Sequence, residues 1–99
     1  MTRGFVFRAE AREDLREAAR FYERDVAGLG AEFISEVRTA VMRLRSHPES
    51  APEFAGGTRR KLLARFPYGI IYLHENAALE IVAIVHNRRD PNSWIERLG

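Results

Sequence analysis

The spacing of hydrophobic positions changes period twice along this chain. Gly4-Phe5-Val6-Phe7-Arg8 alternates and reads as a short first strand. From about residue 9 to 27, Leu15, Ala18, Ala19 and Tyr22 recur at helical spacing, with no Gly or Pro before Gly28. No N-cap residue marks the start of that helix. Gly28-Leu29-Gly30 breaks it. A second helix spans about 31 to 46, with Phe33, Ile34, Val37, Val41 and Leu44 on one face. His47-Pro48 stops it, because proline disfavours helical geometry in the residue before it. Two amphipathic helices joined by so few residues are expected to form an antiparallel hairpin.

Past a Pro- and Gly-containing loop at 47–57, the period returns to two. Strands are expected at about 58–66, 69–75 and 79–86, with turns at Pro67-Tyr68-Gly69 and Glu75-Asn76-Ala77-Ala78. In 58–66, Arg59, Lys61, Leu63 and Arg65 fall on one side, and Leu62, Ala64 and Phe66 on the other. That alternation predicts one buried face and one basic, solvated face. The last run is apolar at nearly every position, which predicts a central strand. The resulting order is β-α-α-β-β-β with a short C-terminal helical turn. The fold class is α+β, a helical hairpin packed on one face of an antiparallel sheet, in a single domain over residues 1–99.

Composition narrows the chemistry. With no cysteine there is no disulfide framework, thiolate metal site or cysteine nucleophile. The three histidines, His47, His74 and His86, share no metal-ligand spacing, so neither metal nor cofactor is expected. No run approaches the roughly 20 apolar residues of a membrane span, and the first residues lack a signal-peptide pattern. The expectation is a cytoplasmic protein without a membrane partner. The formal net charge is +2, unevenly spread. Residues 1–57 carry nine Arg against ten Asp and Glu, while 58–99 carry six Arg and one Lys against four acids. The positive excess thus belongs to the strand-rich half.

Within that half, Arg59, Arg60, Lys61, Arg65, Arg88 and Arg89 are candidates to gather on one sheet face or edge. Clustered guanidinium groups bind phosphates and carboxylates through charge-assisted, often bidentate hydrogen bonds. A solvated sheet face explains the same residues equally well. Among the neighbouring aromatics, Phe66 and Tyr72 read as core or half-buried. Tyr68 and Trp94 are the better surface candidates, although packing back onto the sheet to pin the tail is the favoured role for Trp94. His86, beside Asn87 and Arg88, is a candidate proton-transfer group. The ladder Arg8, Arg12, Arg16, Arg20, Arg24 reads as a solvated helix face, with compensation from Glu13, Glu17 and Glu23.

Several segments, in order, resemble one bacterial family. They are Ala11…Asp14-Leu15 opening a helix that carries Tyr22, the Leu44…Pro48 step, and Arg65-Phe66-Pro67-Tyr68-Gly69-Ile70-Ile71-Tyr72. Last comes Val85-His86-Asn87-Arg88-Arg89-Asp90-Pro91 with Trp94 after it. Together they resemble the RelE/ParE superfamily of toxins from type II toxin–antitoxin modules. The Arg-Arg-Asp-Pro…Trp ending is similar to the ParE side. That resemblance implies a toxin that poisons DNA gyrase, blocks replication and is neutralised by a cognate antitoxin of the ribbon-helix-helix type. Operator DNA would be reached only through that antitoxin. It places Arg59, Arg60, Lys61, Arg65, Tyr68, Arg88, Arg89 and Trp94 at a target- or antitoxin-binding surface. No catalytic residue is expected on this reading. The RelE-like alternative is a metal-independent, ribosome-dependent messenger endoribonuclease, with Arg65, His86 and Arg88 in catalytic roles. Against it, Trp94 falls where such enzymes carry a tyrosine, and an indole N–H cannot act as a general acid or base. A second alternative is an inert member that only binds its antitoxin.

Overall fold

In a computed structural model the chain is described over residues 3–99, so Met1 and Thr2 of the expected domain lie outside the described residues. Strand β1 (Gly4–Phe7) leads into helices α1 (Ala9–Asp25) and α2 (Leu29–Ser46). Strands β2 (Arg59–Leu62), β3 (Tyr68–Glu75) and β4 (Ala78–His86) follow, and 3-10 turns at Pro91–Ser93 and Ile95–Leu98 close the chain. The order is the one the periodicity predicts. Among the described residues no helix is long and apolar enough to cross a membrane.

The sheet runs β1-β4-β3-β2. Strands β2, β3 and β4 form an antiparallel meander, but β1 pairs parallel with β4, from Gly4↔Ala78 to Phe7↔Ile81. The sheet is therefore mixed rather than wholly antiparallel. The helical hairpin is the crossover that carries the chain from β1 to the far edge, where β2 begins. Apolar β4 is central, as expected. A register shift at Ile71/Tyr72 pairs Ile71 with Ala83 and Tyr72 with Ile81, leaving Val82 as an extra residue in β4. Bulges of this kind let neighbouring side chains switch faces. Ile81 and Ile84 join the core under the helices, whereas Val82, Ala83 and Val85 face the other way.

The main core lies between hairpin and sheet, around Phe33, Val37, Leu44, Ile70, Tyr72, Leu79 and Ile81. Burial contributes roughly 1.5–3 kcal/mol for each large apolar side chain. The helices approach closely at Gly30, where a Cβ would stand 2.6 Å from the Ala19 carbonyl oxygen. Glu23 stabilises the same corner, because its carboxylate accepts from the Gly28 and Gly30 N–H groups at 2.9 and 3.0 Å. It thereby caps the free N–H groups that begin α2.

The other sheet face differs from the basic, solvated surface that alternation predicts. A second, smaller core of Ile71, Val82, Ala83, Val85 and Trp94 covers it, with Phe54, Ile95 and Leu98 packed around. The strand expected over 58–66 is also shorter and ends at Leu62. Beyond it the Glu36 carboxylate accepts from Ala64 N–H at 2.7 Å and from Arg65 N–H at 3.2 Å. That contact draws the chain out of the sheet and toward α2. Leu63 and Phe66 both enter the main core, while Leu62 is left 49 % exposed. The two-residue alternation assigned to this run therefore fails from Leu62, the last residue of β2, onward.

Candidate functional site

The basic residues of the strand-rich half divide into three groups rather than one face. Arg59 pairs with Tyr72 across the β2–β3 ladder and serves the adjoining loop. Its guanidinium donates to the Ala51 carbonyl at 2.7 Å and the Glu49 carbonyl at 3.4 Å. Tyr72 Oη donates to Pro48 O at 2.7 Å, so these two side chains fasten the 47–54 loop to the sheet.

Lys61 and Arg65 belong to the α2 side. They line a groove of about 470 Å³ with Glu32, Glu36 and Arg43. Arg65 donates to Glu32 at 2.7 Å and lies over the Phe66 ring. This groove carries both charge signs, so it is a poor cradle for a polyanion.

The third group stands where β3 begins and β4 ends. Tyr68 pairs with His86, their rings 5.3 Å apart and edge to face. Burial against Tyr22 and Phe33 raises the Tyr68 pKa, and the charge of Arg89 opposes that rise. Tyr68 is thus half-buried, less open than the turn at Pro67 suggests. Arg88 and Arg89 are exposed beyond the strand. Their backbone N–H groups donate to His86, Arg88 to Nδ1 at 3.1 Å and Arg89 to the carbonyl at 2.9 Å. Arg88 N–H thereby occupies Nδ1 of His86, so any proton transfer by this ring would go through Nε2. On the adjacent face Arg60 lies 4.1 Å over Phe54, whose ring stacks on Trp94 at 6.1 Å and 26°. Trp94 itself is 1 % exposed. It pins the tail, as its favoured role predicts, and offers no free ring to a partner.

Of the eight predicted site residues, Tyr68, Arg88 and Arg89 come together with His86, and Arg60 joins Trp94 through Phe54. Arg59 and Arg65 are held elsewhere, and Lys61 lines the groove beside α2. Sequence reasoning missed a further surface, lined by other residues. A groove of about 290 Å³ has an apolar floor of Phe5, Phe7, Leu15, Ile34, Val37 and Val41. Arg12 and Arg45 lie over Phe7 and Phe5 at 5.2 and 4.6 Å, and Arg38 completes the rim beside exposed Met42. The signal was present in the arginine ladder, read there as a solvated face. Only Arg12 of that ladder turns toward the groove, while Arg16 and Arg20 pair with Glu13 at 3.6 and 3.1 Å.

Comparison with known proteins accords with this architecture. A chain of the solved "Chromosomal ParDE TA system from P. aeruginosa" superposes with a TM-score of 0.61 at 17 % sequence identity. The match covers 84 % of this chain and 94 % of that one, and at such identity it speaks for the fold. No curated protein matches. A family model described as "ParE toxin of type II toxin-antitoxin system, parDE" matches residues 5–91. That segment runs from β1 through the Arg88-Arg89-Asp90-Pro91 tail, and so this chain belongs to the ParE toxin family of type II toxin–antitoxin systems.

Proposed function

We propose that this chain inhibits DNA gyrase and thereby replication, and that a cognate antitoxin neutralises it. The observation that carries this reading is the closure of Trp94. At the tail position where messenger-cutting relatives are expected to carry an acid–base side chain, an indole is packed away on Phe54. Arg65, a candidate catalytic arginine, is engaged by Glu32. The chain acts by binding, and Arg88 and Arg89, exposed at the sheet end beside Tyr68, are its contact with the target. The antitoxin is a ribbon-helix-helix protein whose C-terminal segment folds on docking. The arginine-rimmed apolar groove suits an amphipathic segment with acidic flanks, since such rims steer and orient opposite charge.

A supercoiling assay with purified gyrase tests the target. Wild-type protein is expected to inhibit supercoiling and to accumulate cleaved DNA, and the pair Arg88→Ala/Arg89→Ala to lose both effects while remaining folded. Inhibition undiminished in that variant rules out the assigned contact. Cut messenger on translating ribosomes, lost in Arg65→Ala, supports the ribonuclease reading in its place.

A further inference from the structure

The β4 strand is paired by β1 over only part of its length. Pairing ends at Phe7↔Ile81, and Arg8 N–H makes the last contact, to the Ile81 carbonyl at 3.1 Å. Past that point no strand among the described residues lies along this edge, yet two of its polar groups are taken up. Asp14 Oδ2, reaching in from α1, accepts from Ile84 N–H at 3.1 Å. Arg97 Nη1, reaching back from the C-terminal turn, donates to the Val82 carbonyl at 3.1 Å. The two side chains also bond each other as a fork, at 2.7 and 3.1 Å. An acceptor and a donor joined in this way do for Val82 and Ile84 what a neighbouring strand's backbone would do.

The same pair ties three parts of the chain together. Arg97 is also 3.8 Å from Glu10. Arg8 donates to Glu80 at 2.6 Å and, through Nη1, to the Arg97 carbonyl. Both members of the central pair are well shielded, with 19 % of the Arg97 side chain and 13 % of Asp14 exposed. On the sheet face below, Trp94, Ile95 and Leu98 pack into the second core. The tail is therefore fixed at His86, where β4 ends, and again at Trp94–Arg97. Exposed Arg88 and Arg89 lie on the span between. Arg89 further shares a shallow groove with Asp14, Tyr68 and Ile84.

We propose that Asp14 and Arg97 are positioning residues, whose ion pair clasps the C-terminal segment to the open edge of β4 and so sets where Arg88 and Arg89 stand. The clasp itself rests on geometry alone. Its consequence for activity rests on the gyrase reading above. Removing either partner leaves a shielded charge alone, which costs more than removing both. The effect is local, because short terminal segments open independently of the global fold.

The test uses the purified full chain and the variants Asp14→Asn, Arg97→Met, their double, and Arg97→Lys. The chain has a single tryptophan, so its emission reports the tail directly. In each of the two uncharged single variants, Trp94 emission moves to longer wavelength and amides 94–98 exchange at least about tenfold faster, while far-ultraviolet dichroism holds. The double variant is affected less than the two singles combined predict. Gyrase inhibition then needs roughly tenfold more protein for each single, tracking the exchange rather than the helix content. Emission and exchange unchanged in both singles overturn the clasp. A freed tail with undiminished gyrase inhibition overturns the positioning role. Should Arg97→Met fail to fold, Arg97→Lys, which keeps the charge and loses the fork, is judged by the same readouts. Wild-type protein without effect on gyrase sinks the functional reading instead. The clasp then stands if emission and exchange shift, and is overturned if they do not.

Discussion

Gly30 and Trp94 show how much of this molecule is decided at single positions. A methyl group at Gly30 meets the Ala19 carbonyl oxygen at 2.6 Å, and backbone there has no room to yield. Gly30→Ala is expected to cost about 1–3 kcal/mol in chemical denaturation, the usual range for overpacking. An unchanged midpoint contradicts the close helix contact. Trp94 fills the second core, so Trp94→Ala is expected to cost about 3–5 kcal/mol. A loss of toxicity in that variant would therefore report the tail's anchorage, not a direct contact. All three tyrosines are shifted the same way, with burial raising Tyr22, Tyr68 and Tyr72 above the ordinary phenol value. The unfolded chain ionises first as pH rises. Their contribution is thus intact below about pH 10 and is lost as pH climbs through the folded-state values. Tyrosinate absorbance of the native protein should lag behind that of the denatured chain, and coincident titrations contradict this burial. Phe66 and Tyr72 are buried, as their aromatic character suggests, but alternation does not account for Phe66, which lies where that pattern has failed. The Asp14–Arg97 pair was not legible in the sequence, because its partners lie 83 residues apart and no local pattern links them.

Helices and hairpins were the most legible elements, since their signals are periodic and local. Boundaries moved by one to two residues where caps decide them. Glu23 places the start of α2 at Leu29, and Glu23→Gln should weaken that corner by about 1 kcal/mol, in the manner of lost capping contacts. An unaltered melting temperature would speak against the cap. The β3–β4 turn holds Asn76 at φ 52° and Ala77 at φ 62°, the left-handed pair of a two-residue hairpin. Alanine is strained there, so Ala77→Gly is expected to stabilise by about 1 kcal/mol, measured by denaturant midpoint at constant slope. Two features escaped the pattern. The early end of β2 depends on Glu36, 28 residues away, capturing the Ala64 N–H. The parallel partner of β1 depends on where the last strand lands, which no stretch of ten residues contains.

For the whole molecule, composition correctly put the positive excess in the strand-rich half but misjudged its arrangement. Arg59 and Arg65 are engaged by the loop carbonyls and by Glu32, which leaves Arg88 and Arg89 as the exposed basic pair of the tail. The sheet face expected to be wet is roofed by the chain's own last residues, so the charged tail projects from a fixed platform. The groove on the other side, floored by Phe5 and Phe7 and edged by Arg12, Arg38 and Arg45, stands apart from that tail. A partner seated in the groove need not touch Arg88 or Arg89. Neutralisation would then work by wrapping around or stiffening the toxin rather than by competing for one contact.

Pulse labelling after expression in a bacterial host without the antitoxin decides whether this toxin stops replication while translation runs on. Incorporation of labelled thymidine should fall within the first minutes while labelled methionine continues to enter protein. Collapse of methionine incorporation first would contradict gyrase as the target and make the chain a messenger-cutting enzyme.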